Sequence, residues 1–132
     1  MQKLNPVGVH ETPGYQHVTI VPAGKLAFLA GQCPLDADGK LVGSGNVFTQ
    51  TDQVIKNALI VLDAAGASPS DVVRSTIYVV SPDRQVLSRV WERLNDSPLA
   101  PAFSTASTLL GVACLGFTGQ LVELDLTAAL PD

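Results

Sequence analysis

The chain has 132 residues, of which 46% are apolar and only 15% are charged. Its length suits one domain with a single core, and its shortage of charged surface favours an oligomer that buries an apolar face. Twelve acidic and eight basic side chains give a net charge of −4, which disfavours non-specific binding to nucleic acid.

The first half of the chain predicts two strands and a helix. Residues 17–21 are rich in β-branched types, residues 22–24 spell a Pro-Ala-Gly turn, and residues 26–30 form a second apolar run. This pattern predicts a β-hairpin. Residues 49–52 (Thr-Gln-Thr-Asp) fit a capping box, and Gly66 fits a helix end. Between them, apolar residues recur at helical spacing: Val54, Ile55, Ala58, Val61, Leu62 and Ala65.

The middle of the chain predicts a third strand and a second helix. Residues 72–80 are β-branched and aromatic and have turn residues on both sides, which predicts a strand. Ser81 and Pro82 fit an N-cap followed by proline at the first helical position. A second helical stripe follows them: Val86, Leu87, Val90, Trp91 and Leu94. Residues 95–101 contain two prolines, so the helix is expected to end before them.

The last third predicts two more strands, at about 108–115 and 121–129, separated by Gly116 and Gly119. The predicted order is β-β-α-β-α-β-β in one domain, residues 1–132. We expect an α+β fold in which both helices cover one face of a mixed sheet. Because the strands carry apolar residues on both faces, the second face is expected to pack against other copies of the chain.

The cysteines, the histidines and the apolar runs indicate the cellular compartment and the expected metals and cofactors. Cys33 and Cys114 have neither metal-ligand spacing nor a C-x-x-C pairing, which is typical of reduced thiols. His10 and His17 lack the spacing of a metal site and the partners of a catalytic triad. No apolar run approaches the ~20 residues that span a bilayer, and the N-terminus lacks the apolar centre of a signal peptide. We therefore expect a cytoplasmic protein with no membrane partner, no metal and no cofactor.

Several short motifs follow one another in a single collinear order. They are residues 29–36 (Leu-Ala-Gly-Gln-Cys-Pro-Leu-Asp), Gln53, Asn57, 64–67 (Ala-Ala-Gly-Ala), 71–73, 106–115, 121–125 and Ala128. Together they resemble the Rid family, also called YjgF or L-PSP endoribonuclease, over about residues 12–130. The resemblance implies a chorismate-mutase-like fold assembled as a homotrimer, with a small-molecule cleft between subunits.

The resemblance also implies a chemistry, from which this chain departs at one position. The best-understood members hydrolyse reactive enamines and imines to 2-keto acids and ammonia, and an arginine in a Pro-Ala-Arg-Ser/Thr motif pairs with the substrate carboxylate. The register set by residues 110–113 places Ser107 at that arginine, and a register through residues 101–102 places Phe103 there. Neither residue is a cation, and the loss of such a charge partner costs about 2–5 kcal/mol of binding. Four other arginines are candidate replacements: Arg74, Arg84, Arg89 and Arg93.

Five residues are the candidates for the site that the resemblance implies. Glu123 matches the family glutamate and is a candidate proton acceptor beside a C=N carbon, or alternatively a structural carboxylate. Tyr15 matches an aromatic residue at the cleft mouth, and Gly31 matches a backbone position that a ligand approaches closely. Ser107 and Thr108 carry hydroxyls that bind either a ligand or the neighbouring backbone.

Three functions follow from these residues. We expect first a homotrimer that binds a small molecule and has little 2-imino acid deaminase activity. The alternative is an enamine or imine hydrolase with a shifted substrate, which uses Glu123 and a bound water. An endoribonuclease ranks last, because the chain is acidic and carries no basic stripe for RNA.

Overall fold

A computed structural model describes residues 1–131 of the chain. Two α-helices and six strands occur in these residues, and two short 3-10 helices, Pro69–Asp71 and Ala100–Ser104, precede the fourth and fifth strands. The strands and helices in chain order are β1 (Gln2–Leu4), β2 (Val18–Ile20), β3 (Leu26–Phe28), α1 (Val47–Ala64), β4 (Val72–Val80), α2 (Arg84–Asn95), β5 (Ala106–Val112) and β6 (Val122–Ala129).

The main sheet has four strands in the order β3-β6-β4-β5. Strand β6 runs antiparallel to β3 and β4, whereas β5 runs parallel to β4. A parallel pair needs a long crossover connection, and here that connection contains α2. The α+β class with two helices and a mixed sheet is therefore confirmed.

The predicted N-terminal hairpin is wrong. Strand β2 pairs with β1 in a separate two-stranded sheet, and β3 pairs with β6 from the far end of the chain. The sequence prediction omitted β1 altogether, because residues 2–4 are too few to show a period. Strands β5 and β6, predicted on either side of Gly116 and Gly119, lie on opposite sides of β4 rather than beside each other.

The helix ends correct two predicted caps. Helix α1 begins earlier than the predicted capping box, because Asn46 Oδ1 accepts hydrogen bonds from the backbone N–H groups of Phe48 and Thr49. The N-cap of α2 is Asp83, which accepts from Gln85 N–H, so the predicted cap at Ser81 is wrong. The predicted end of α1 is confirmed, since Gly66 follows the helix with a φ of 81°.

Both helices pack on the same face of the main sheet. Along β4 and β6, buried residues alternate with more exposed ones. The buried side chains meet the apolar stripes of the two helices in one core, which includes Val54, Ala58, Leu62, Ile77, Val79, Val90, Leu94, Phe103, Leu124 and Leu126. The hydrophobic periodicity in the sequence therefore identified the packed face of each of the two helices correctly.

The opposite face of the sheet is open in the single chain and will be called the open face. Its residues share the strand parity of Glu123 and Asp125. Its apolar members are markedly exposed: Phe28 by 77%, Leu26 by 45% and Leu110 by 41%. This is the face that the sequence analysis expects other copies of the chain to cover.

The assignment of α1 to the core predicts a difference between two of its residues. Leu62→Ala is expected to lower the free energy of unfolding by about 2–5 kcal/mol, because the deleted side chain leaves a cavity. Leu62 is 1% exposed, whereas Ile60 on the same helix is 59% exposed. Ile60→Ala is the control and should change stability by about 0.5 kcal/mol or less. Urea unfolding at one fixed protein concentration measures both, and equal losses would contradict the assigned core face.

Candidate functional site

The five predicted site residues occupy three places in one chain. Gly31 and Glu123 touch each other at one edge of the open face. Tyr15 and Ser107 line a cavity beside α2. Thr108 is exposed on the open face, because successive residues of a strand point to opposite sides of the sheet. The single chain therefore does not bring the five residues into one pocket.

Two hydrogen-bond donors hold the carboxylate of Glu123. The Cys33 thiol donates to Oε1 at 3.2 Å, and the Gln120 side-chain amide donates to the same oxygen at 3.1 Å. Gln120 is itself buried and rigidly placed, since it accepts from Phe117 N–H and donates to the carbonyl of Val122. These contacts fix the orientation of the carboxylate before any ligand arrives. We call Gly31, Cys33, Gln120 and Glu123 the Glu123 cluster.

Gly31 leaves the space that this carboxylate occupies. A Cβ added at residue 31 would lie 2.4 Å from Glu123 Oε2 and 2.8 Å from its Cδ, which is closer than real contacts allow. The segment is tied to β6 by paired backbone hydrogen bonds between Gln32 and Leu124, at 2.7 and 3.1 Å. The close approach expected at Gly31 is thus made, in the single chain, by the side chain of Glu123.

The Cys33 thiol is a donor and not a nucleophile in this environment. Burial, the hydrogen bond to Glu123 and the charge of Glu123 raise the pKa of the thiol to about 11. A thiol with this pKa stays protonated at neutral pH, and only the thiolate is a strong nucleophile. Sequence reasoning placed neither Cys33 nor Gln120 in the site. The one sequence signal for Cys33 was its position two residues after Gly31, because residues i and i+2 of an extended segment lie on the same side.

The second group of residues lines what we call the aromatic cavity. The cavity has a volume of about 270 Å³ and is lined by Pro13, Tyr15, Ser88, Trp91, Glu92, Ser107 and Leu109. The rings of Tyr15 and Trp91 meet edge to face with their centroids 6.2 Å apart, and Trp91 packs in the same way on Phe103. Phe103 is fully buried in the core. Trp91, expected from its helical stripe to be a core residue, forms the boundary between core and cavity.

The N-terminal segment holds Tyr15 in this cavity. The backbone N–H of Gln16 donates to the carbonyl of Thr105 at 3.1 Å, which anchors the segment just before β5. The Tyr15 hydroxyl is hydrogen-bonded to His10 Nε2 at 2.8 Å, and a ring nitrogen of His17 contacts the His10 carbonyl. On the strand side, the hydroxyls of Ser107 and Ser75 share a hydrogen bond at 2.5 Å. The hydroxyl groups of Tyr15 and Ser107 therefore have defined positions in the cavity.

The four arginines considered as replacements lie outside the aromatic cavity. Arg93 forms a two-pronged ion pair with Asp52 across the α1–α2 groove, with N–O distances of 2.7 Å. Arg89 lies over the ring of Phe48 in the same groove, 4.5 Å from its centroid. Arg74 is exposed on β4, and Arg84 is exposed at the first turn of α2. Within residues 1–131, the cavity lining contains no arginine or lysine.

The described residues also bear on metal binding and on membrane insertion. Residues 1–131 contain no group of three or more His, Cys, Asp and Glu side chains arranged to hold a metal ion. None of the helices in that range has the length and hydropathy needed to pass through a lipid bilayer.

Comparison with known proteins gives consistent matches. A family profile described as Endoribonuclease L-PSP matches residues 9–130. A RutC family protein of Pyrococcus horikoshii is 39% identical over 59 residues, which cover 45% of this chain and 47% of the relative, so the match spans about half of that relative's length. The chloroplastic Reactive Intermediate Deaminase A of Arabidopsis thaliana is 37% identical over 112 residues, covering 83% of this chain and 56% of that protein.

A solved structure matches over nearly the whole chain. The protein YyfB of Yersinia pestis, described as a protein of unknown function of the conserved Rid family, superposes with a TM-score of 0.88. It is 32% identical in sequence, and the match covers 98% of each chain.

The contact between Cys33 and Glu123 predicts how the thiol reacts. Glu123→Gln removes a negative charge beside the thiol, so the pKa of Cys33 is expected to fall from about 11 toward its ordinary value. The alkylation rate with iodoacetamide at pH 8 should then rise several-fold, because it follows the thiolate fraction. The measurement uses a Cys114→Ser background, since Cys114 is exposed and free.

The matched control for this measurement is Asp125→Asn. Asp125 lies on the same face of β6, two residues from Glu123, and is exposed. Its substitution removes an equal charge without removing a hydrogen bond to the thiol, so the alkylation rate should stay near that of the background protein. Equal rates in the Glu123→Gln and background proteins would contradict the cluster as described.

Proposed function

Since this chain belongs to the Endoribonuclease L-PSP family, which includes the Rid proteins, we propose that it is a homotrimer that binds a small molecule in clefts between its subunits. The observation that carries the proposal is the separation of the candidate site into two parts. The Glu123 cluster and the aromatic cavity lie on different sides of the sheet in one chain. Strand β5, which carries Ser107, is at an edge of the sheet, so a second copy that covers the open face and extends around this edge supplies the missing part to each.

The open face supports assembly. It carries large apolar side chains that are well exposed in the single chain, above all Phe28 at 77%. Covering such a surface is favourable by about 25 cal/mol per Å² of apolar area removed from water. A three-fold arrangement closes on itself and covers the open face of every subunit in the same way.

The cavity lining supports a ligand other than a 2-imino acid. Ser107 lines the cavity while Phe103 is buried in the core, which favours the register that aligns Ser107 with the family arginine. Among the described residues 1–131, no arginine lines the cavity to pair with a substrate carboxylate. Binding of a 2-imino acid therefore lacks an interaction worth about 2–5 kcal/mol, and its deamination is expected to be slow.

Imine hydrolysis of a different substrate is the second candidate function. It is favoured by the fixed carboxylate of Glu123, which the Cys33 and Gln120 donors orient through Oε1. In this reaction Glu123 accepts a proton from a water whose oxygen attacks the C=N carbon, and then donates that proton to the nitrogen of the carbinolamine that forms. The remaining hydroxyl proton passes to the nitrogen as the C=O bond forms, and the C–N bond breaks to release ammonia. A relative named Reactive Intermediate Deaminase A supports the same reaction class. Ribonuclease activity is least favoured, because the net charge is −4.

The trimer is tested by sedimentation equilibrium at micromolar concentration. The expected mass is three times the chain mass of 13.8 kDa. Phe28→Glu places a charge in the proposed interface and is expected to dissociate the trimer, whereas Ile60→Glu on the exposed side of α1 should leave it intact. A wild-type monomer would contradict both the trimer and the shared cleft.

The missing cation is tested by restoring it. Ser107→Arg is expected to recover part of the about 2–5 kcal/mol, which corresponds to at most about 30-fold to several thousand-fold tighter binding of a 2-keto or 2-imino acid. Titration with 2-oxobutyrate and ammonia release from an enzymatically generated imine measure binding and turnover separately.

Ser70→Arg is the control, because residue 70 is exposed in the short 3-10 helix before β4 and lies outside the main sheet and the aromatic cavity. Two results would contradict the proposal. One is a wild-type deamination rate equal to that of an arginine-bearing family member. The other is a Ser107→Arg protein that folds and trimerises yet gains no affinity for the acid.

A further inference from the structure

We propose that the aromatic cavity selects neutral or cationic ligands with a single apolar ring, namely arylalkyl amines and their imines, and rejects carboxylates. The inference deepens the proposed function, because it names the ligand class of one part of the same cleft. It rests on the size of the cavity, on its charge and on the atoms that its polar side chains offer.

The size and the lining of the cavity suit one ring. Pockets for drug-sized ligands have volumes of about 300–1,000 Å³, and this cavity has about 270 Å³. Its walls are formed by Pro13, Tyr15, Trp91 and Leu109, which are apolar over most of their surface. Tyr15 and Trp91 stand nearly perpendicular, at 85°. A ligand ring in this corner contacts the edge of one side chain and the face of the other.

The charge of the cavity comes from Glu92. It is the one charged side chain in the lining formed by residues 1–131. Glu92 also lines the α1–α2 groove beside Arg89 and Arg93, but those two arginines contact Phe48 and Asp52 there and do not line the aromatic cavity. An anionic ligand in this cavity is therefore repelled by the Glu92 carboxylate, and no cation in the lining compensates. An ammonium or iminium group is attracted both by this carboxylate and by the rings of Tyr15 and Trp91.

The small polar groups of the cavity also suit an N–H donor. Ser107 shares one hydrogen bond with Ser75, and a hydroxyl oxygen with two lone pairs keeps an acceptor position beside such a bond. Ser88 adds a second hydroxyl on the α2 side. His10 is bonded to the Tyr15 hydroxyl, and neither His10 nor His17 lines the cavity.

In the proposed trimer, the part that a neighbouring subunit adds is the Glu123 cluster. Its carboxylate makes the completed cleft more acidic and therefore strengthens the same selection. A protonated imine then lies with its positive charge between the carboxylates of Glu92 and of Glu123 from the neighbouring subunit. Its C=N carbon is the atom that water attacks in the proposed hydrolysis.

Trp91 reports on the cavity directly, because it is the one tryptophan of the chain and lies in the cavity wall. We propose fluorescence titration of the full-length wild-type protein at pH 8 with benzylamine, benzyl alcohol and benzoate, which share a ring and differ in charge. Benzylamine and benzyl alcohol are expected to change the Trp91 emission with dissociation constants at least tenfold lower than that of benzoate.

Two substitutions test whether the charge of the cavity causes the preference for benzylamine over benzoate. Glu92→Gln is expected to lower the affinity for benzylamine at least fivefold while leaving that for benzyl alcohol nearly unchanged. Asp63→Asn, an equal loss of charge at an exposed position of α1 outside the cavity, should change neither. The inference is overturned if benzoate binds as tightly as benzylamine, if no probe changes the emission, or if Glu92→Gln leaves the ratio of the two affinities unchanged.

The oligomeric state separates this inference from the proposed function. A monomer that still prefers benzylamine to benzoate supports the charge selection and contradicts the cleft between subunits. A trimer that binds benzoate as tightly as benzylamine contradicts the charge selection alone.

Discussion

The alternation of residues along β6 is the constraint on which the rest of the structure depends. Val122, Leu124 and Leu126 are each 1% exposed and form the floor of the core under the helices. Glu123 and Asp125 lie between them on the other face. A shift of the strand by one residue would bury both carboxylates and expose the apolar side chains, at a cost of several kcal/mol for each unpaired charge. The hydrophobic core therefore fixes the position of the acidic group.

This constraint also explains why the candidate site is divided. Glu123 faces away from the helices, so its partners come from Cys33 and Gln120, which flank β6 on the same side. Ser107 on β5 has the opposite parity and faces α2, where Tyr15 and Trp91 complete a cavity. A single sheet cannot present both groups to one ligand. Under the proposed function, assembly of several chains is thus part of the site and not only a source of stability.

Under the proposed function, the family fold takes a different ligand chemistry because a few side chains in the cavity differ. The backbone matches that of YyfB with a TM-score of 0.88, while the cavity carries Glu92 and Ser107 and no cation from residues 1–131. A fold fixes where a ligand binds, and the charges in the lining select which ligand binds. Family membership therefore supports the location of the cleft more strongly than it supports a particular substrate.

The sequence by itself determined the local elements and the family. The two helices, the end of α1 at Gly66 and the strand of Glu123 follow from periodicity and capping, which depend on residues close together in the chain. The pairing of β3 with β6 and the contact of Cys33 with Glu123, 90 residues apart, were decided only by the tertiary structure. So was the position of Trp91 at the boundary between the core and the aromatic cavity. Several strand orders are compatible with the same hydrophobic pattern. Packing contacts between residues far apart in the chain determine which of these orders is the most stable.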